Sequence, residues 1–248
     1  MQSSRQATVW SVLRLAMAVV ILAAVITQLT VSLTRTAETG GDVATVFANF
    51  FSFFTILSNV IAAVVLATAG ARALMRPAEA AGSLGLSAAL TCATAYMVIT
   101  GIVYNALLRG ITLPQGSEPV PWSNEVLHLI GPIFLVLDLL IGTRRRALRW
   151  QVVWVVVAFP LLWVAYTLVR GPLVTNPTTG EPYWYPYPFL NPNGPGGWGS
   201  VAAYVVVIAI GFVAVGFGAV WVTRRRGRAV PTKATTAEAT ATEITATE

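Results

Sequence analysis

The sequence predicts an all-α integral membrane protein, a six-transmembrane-helix bundle with both termini cytoplasmic, on three observations. The chain of 248 residues is 56% apolar and only 10% charged, with a mean hydropathy of +0.70; an average soluble domain is about a quarter charged. Six runs are long and apolar enough to cross a hydrocarbon core of about 30 Å, which takes roughly 20 helical residues. The basic residues cluster between alternate runs, the pattern that orients membrane helices. A water-soluble enzyme is excluded at this level.

The spans are expected at about 13–33, 50–69, 86–108, 123–142, 151–169 and 200–222, one transmembrane domain over 1–228. The first run is too long for a signal peptide and no A-x-A-type cleavage site follows it, so it is expected to be retained. An even number of spans puts both termini on one side. Arg5, Arg72, Arg76, Arg144, Arg145, Arg146, Arg149, Arg224, Arg225, Arg226, Arg228 and Lys233 fall on that side, against Arg35, Arg109 and Arg170 on the other. The positive-inside rule makes the richer side cytoplasmic.

Sixteen basic against ten acidic residues give a net charge of +6. The charges form short clusters rather than a stripe interleaved with polar surface, so no nucleic-acid partner is expected. A single cysteine, Cys92, rules out an intrachain disulfide and a cysteine zinc site, and a single histidine, His128, provides no set of imidazole ligands; no metal or other cofactor is expected. Residues 229–248 are a Thr/Ala/Glu repeat too poor in apolar surface to offset its chain entropy, and a disordered cytoplasmic tail is predicted.

The loop from Gly171 to Gly199 holds seven of the fourteen prolines, six glycines and Tyr183, Trp184, Tyr185, Tyr187, Phe189 and Trp198. Prolines at that density preclude a helix. The segment reads either as a rigid, ring-rich cap or as an aromatic belt anchoring two span ends at the lipid interface. A faint internal echo links Tyr104–Arg109–Gly110 at the end of the third span with Tyr166–Arg170–Gly171 at the end of the fifth.

Polar side chains are costly in a bilayer and turn toward the bundle interior, which makes them informative. Thr55 lies seventeen residues before Arg72 and His128 sixteen before Arg144. At 1.5 Å per residue both sit roughly 24–26 Å from the cytoplasmic boundary, in one outer layer. Tyr104, Asn105, Tyr166, Thr27 and Gln28 reach the same layer from outward-running spans. Helical spacing predicts Ser52, Thr55 and Asn59 on one inward face of the second span, and Asn124, Glu125 and His128 on one inward face of the fourth. Pro132 lacks the N–H that would meet the His128 carbonyl, predicting a kink and a free acceptor there. Structural roles account for the same residue types: membrane Thr and Ser commonly bond their own helix, and a lone His can simply bridge helices. Asp138, about 15 Å deeper than His128, reads either as a partner for an arginine such as Arg144 or as a proton-carrying acid.

Three motifs carry a resemblance. They are Phe54-Thr55-Ile56-Leu57; Trp122-Ser123-Asn124-Glu125-Val126-Leu127-His128, followed by Pro132 and Asp138; and Tyr185-Pro186-Tyr187-Pro188-Phe189-Leu190. In order, spacing and topology the chain up to about Arg226 resembles the six-span androgen-induced protein family and its bacterial six-transmembrane relatives. Pro132 stands one residue nearer the histidine than in animal members, and phenylalanines precede Thr55 where those carry a Lys/aromatic pair. The resemblance implies an intramembrane threonine hydrolase of fatty acid esters of hydroxy fatty acids, with Thr55 as nucleophile and His128 as base, in a bacterial plasma membrane.

The chemistry is coherent by itself. A threonine hydroxyl needs a base, and a neutral imidazole with a pKa near 6.5 is suited to that task. Asn59, Asn124, Tyr104, Asn105 and Tyr166 are candidate pocket or oxyanion donors, and Glu125 or a backbone carbonyl is the candidate that orients His128. The expected partners are membrane lipids and a lipid ester admitted sideways from the outer leaflet. Two other readings stay open: a proton-coupled transporter using Asp138 and His128, which the absence of a convincing inverted repeat disfavours, and a lipid-binding protein without turnover.

Overall fold

The structure, a computed structural model, describes residues 2–76, 82–111, 113–114 and 118–228. The predicted tail over 229–248 lies outside them. Eight α-helices follow in order: α1 (Gln2–Glu38), α2 (Val43–Phe50), α3 (Phe54–Met75), α4 (Leu84–Val103), α5 (Pro121–Glu125), α6 (Gly131–Ile141), α7 (Val152–Arg170) and α8 (Gly197–Arg228). A π-helical turn, Tyr104–Leu108, prolongs α4, and a second, Val126–Ile130, joins α5 to α6. Among the described residues six helical stretches are long and apolar enough to cross a membrane: Arg5–Glu38, Phe54–Met75, Leu84–Leu108, Pro121–Ile141, Val152–Leu173 and Gly197–Arg226. The same residues contain no strand.

The second span starts later than the sequence suggests. Asp42 caps the short α2 by accepting from the Thr45 backbone N–H at 3.0 Å, and the chain then turns over 51–53 before α3 begins. Ser52 therefore lies in the turn, off the helix that carries Thr55 and Asn59.

Helices meet where side chains are small. α1 lies along α3, α3 along α4, and α4 along both α6 and α8. At the first contact Ala18, Ala24, Ala62, Ala63 and Ala69 are buried, and any side chain on Gly70 would strike the Ser11 carbonyl and Leu15. In lipid the solvent is as apolar as the side chains, so close backbone approach and dispersion replace hydrophobic exclusion as the cohesive terms. Outward faces carry Val19, Ile26, Val64, Leu162, Val206 and Val207, all well exposed. This is the surface a bilayer would solvate.

The two ends of the bundle differ. At the end where α1 starts and α8 finishes, Asp138 is fully buried and accepts from Trp10 Nε1, Arg14 Nε and Arg145 Nη2, the two arginines at 2.7 and 2.6 Å. Asp138 thus pairs with Arg14 and Arg145 rather than with Arg144. Arg226 donates to the carbonyls of Leu139 and Gly142, tying α8 to the end of α6.

The loop between α7 and α8 closes the other end. Trp184, Tyr185, Tyr187 and Leu190 are buried, while Trp198 at the start of α8 is exposed. Trp184 donates its backbone N–H to the Gly171 carbonyl and its indole N–H to the Pro114 carbonyl. The Tyr185 ring lies so close over Gly171 that no side chain fits there. Of the two readings of this loop, the inward cap describes its centre.

Candidate functional site

Thr55 sits in the first turn of α3, and that position decides what its hydroxyl can do. A mid-helix Ser or Thr can spend its hydroxyl on the carbonyl four residues earlier; Ser11, Thr68, Thr91 and Thr94 do so. For Thr55 that carbonyl lies in the preceding turn, and the hydroxyl instead faces the phenol of Tyr187 at 3.3 Å. The phenol oxygen also accepts the Thr55 backbone N–H at 3.2 Å, serving as a cap for the helix start. Burial pushes the Tyr187 phenol above its ordinary pKa, which keeps it protonated and able to donate. Either hydroxyl of this pair can donate to the other.

His128 lies in the π-helical turn of the fourth span. Its Nδ1 is 2.9 Å from the Asn124 carbonyl. A carbonyl only accepts, so Nδ1 carries the proton and Nε2 of the neutral ring holds a lone pair. The ring stacks on Tyr104 with centroids 3.6 Å apart and planes 18° apart. Asn124 Nδ2 donates to the Tyr104 hydroxyl at 2.7 Å, so Asn124 holds both stacked rings. Tyr104 itself stands in the π-helical turn that ends the third span. Two such turns side by side are local departures of the kind often found at functional sites.

Thr55, His128, Asn124, Tyr104 and Tyr187 line one cavity of about 50 Å3, with Gln28 and Pro119 on its wall. Gln28 is fixed by accepting the Val120 backbone N–H at 2.9 Å. No hydrogen bond joins Thr55 to His128. Tyr187 engages the hydroxyl, and the Asn124 carbonyl and Tyr104 ring hold the imidazole. The pair therefore shares a chamber rather than a proton, and a bound molecule would stand between them.

The other predicted site residues divide. Asn59 is buried just below the chamber, where its amide donates to the carbonyls of Thr55 and Leu127 at 2.9 and 3.1 Å, tying α3 to the fourth span. Asn105 donates to the Gly101 and His128 carbonyls, so the acceptor released by Pro132 is occupied and not free. Gly101 permits this approach, since a side chain there would press on the His128 carbonyl and Pro132. Tyr166 is half-exposed and meets Ser52 at 2.9 Å, away from the chamber. Glu125 does not face inward or touch His128; Arg109 draws it to the surface in a two-pronged pair at 2.8 and 3.2 Å. The backbone carbonyl of Asn124 orients the imidazole in its place. Asp138 belongs to the opposite end.

The echo between the third and fifth spans does not extend to contacts. Arg109 lies over Tyr104 and pairs with Glu125, while Arg170 lies over Trp184 and donates to Asn49. Tyr187 was absent from the residues that sequence spacing brought to the outer layer. Its signals were the ring-rich loop and the Tyr185-Pro186-Tyr187-Pro188-Phe189-Leu190 motif, neither of which assigned it a role at the site.

Fold and site together define a membrane helix bundle with a small, polar-lipped chamber near one end, walled by a Thr, a His and two Tyr. No protein-family model, no curated protein and no solved structure matches the chain.

Proposed function

We propose that the chain is an intramembrane hydrolase of lipid esters, with Thr55 as nucleophile and His128 as base. In this reading it belongs with the androgen-induced protein family and its bacterial relatives, seated in a bacterial plasma membrane with both termini cytoplasmic. The observation that carries the proposal is the Thr55 hydroxyl, released from its own helix and lining one chamber with an imidazole whose Nδ1 is held by the Asn124 carbonyl, so that Nε2 is the basic nitrogen of the neutral ring. Catalytic hydrogen bonds are often long or unmade until substrate binds, so the open pair is compatible with the role.

The Thr55 oxygen attacks the ester carbonyl while its proton passes to His128 Nε2. The carbonyl oxygen becomes an oxyanion, for which the Tyr187 hydroxyl and the Asn124 amide are donors on the chamber wall. Collapse expels the alcohol, protonated by His128, and leaves an acyl ester on Thr55. Water then gives its proton to His128 and attacks the acyl carbon, releasing the carboxylic acid and restoring the Thr55 hydroxyl. The backbone carbonyl of Asn124 and the stacked Tyr104 ring hold the imidazole through both halves.

Mass spectrometry of the full-length protein treated with a fluorophosphonate probe tests this. The expected adduct maps to Thr55 and is lost in folded Thr55→Ala and His128→Ala variants. Undiminished labelling of the Thr55→Ala protein overturns the assignment. A chain that binds lipid but never forms an adduct is a lipid-binding protein without turnover. The transporter reading requires Asp138 to exchange protons, yet it is fully buried and already paired with Arg14 and Arg145.

A further inference from the structure

Thr55 borders a second cavity besides the one it shares with His128. This cavity, of about 60 Å3, lies between α4, α7 and α8. Thr55, Tyr104, Leu108 and Tyr187 belong to both walls and form the partition between them. On the far side of the partition the lining is almost wholly apolar, with Val164, Val205, Ile208, Ala209 and Phe212 among it. Its one other hydroxyl besides Thr55 and the two tyrosines, that of Thr100, is already bonded to Ser58 at 3.0 Å. Of these two cavities, His128, Asn124 and Gln28 border only the first.

We infer that the apolar cavity is the acyl-chain site and that the alcohol portion of the ester occupies the chamber bordered by His128. The inference rests on the hydrolase reading and adds a direction to it. An ester bound at Thr55 must send its acyl chain one way and its alcohol the other. The departing alcohol oxygen takes its proton from His128, so the alcohol lies on the imidazole side of the partition. The acyl chain is left with the opposite side, which offers apolar walls and no charged group. Access comes from the bilayer: Leu161, on the rim of this cavity, is half-exposed on the outer face of α7. The enclosed volume holds the carbons nearest the carbonyl, and the rest of a long chain runs out past Leu161 into lipid.

Ala209 is the smallest side chain on that wall, so enlarging it narrows the acyl path at a defined point. The test uses the full-length protein in detergent with p-nitrophenyl esters from acetate to palmitate, in which the alcohol is constant. In Ala209→Phe the ratio of kcat/KM for decanoate and longer esters to that for acetate is expected to fall tenfold or more, with Ala209→Leu between it and the parent. Leu162→Phe, on the exposed face of α7, is expected to keep the parent's ratio. A parent that turns over the series while both Ala209 variants keep its chain-length profile overturns the acyl assignment alone. A parent that hydrolyses none of the esters and forms no Thr55 adduct overturns the hydrolase reading, and the acyl assignment falls with it. Should Ala209→Phe fail to fold, the profile of Ala209→Leu decides.

Discussion

At the end of the bundle where α1 starts and α8 finishes, Asp138 is surrounded by donors, with Arg14, Arg145 and Trp10 all aimed at one carboxylate. At the opposite end polar groups also gather around Thr55 and His128, yet they leave a lone pair on Nε2 of the neutral ring and a Thr55 hydroxyl on a cavity wall, held only by Tyr187 at 3.3 Å. Both clusters are expensive in a bilayer. The first spends its polar groups on one another and so fastens α1 to α6. The second lines a cavity with some of its polar groups, which is the feature on which the proposed hydrolase rests.

The difference predicts which variants cost stability and which cost rate. Asp138→Ala is expected to have the largest effect on folding, since it leaves two buried guanidinium groups without a counter-charge. Breaking a buried pair in this way typically costs about 3–5 kcal/mol. The thermal midpoint in detergent should fall steeply, while the fraction that remains folded retains its turnover per molecule. A variant as stable as the parent would show that the cluster fastens nothing.

Tyr187→Phe is expected to do the reverse. It keeps the ring that packs on Phe53 and Phe189 and removes only the hydroxyl that meets Thr55. Loss of an oxyanion donor typically lowers a rate about 100–1000-fold. The midpoint should change less than in Asp138→Ala, because the two neutral hydrogen bonds lost contribute only about 1 kcal/mol each. Ester turnover within a few-fold of the parent would remove Tyr187 from the reaction and leave it as a helix cap.

The two clusters were unequally legible in the sequence. The six spans follow from composition, because bilayer thickness sets a length that any apolar helix must meet. The common height of Thr55 and His128 followed from the arginines that mark each helix end. What Thr55 can do depended instead on where α3 starts, and a helix boundary shifted by a few residues converts a back-bonded hydroxyl into one that meets Tyr187. Tyr187 was hidden for a different reason: its loop is placed by contacts such as Trp184 on the Gly171 and Pro114 carbonyls, and no periodicity encodes them. Asp138 was legible as an arginine's partner but not as the partner of Arg14, 124 residues away.

Glu125 gives the finest division between the two kinds of cluster. Its neighbour His128 and the spacing of Asn124 argued for an inward carboxylate, yet Arg109 holds it at the surface with more than a third of each side chain exposed. The same Arg109 lies over Tyr104, whose ring stacks on the imidazole, so the pair touches the site through two intermediaries. Exposed ion pairs are screened and contribute little. The Asn124 carbonyl, moreover, holds Nδ1 independently of Glu125. Glu125→Gln keeps an acceptor for Arg109 and removes only the charge. It is expected to leave the thermal midpoint unchanged and to alter turnover less than threefold. A tenfold loss, with the fold intact, would mean that the imidazole senses the carboxylate through Arg109 and Tyr104, and the boundary of the site would then have to be drawn around the surface pair as well.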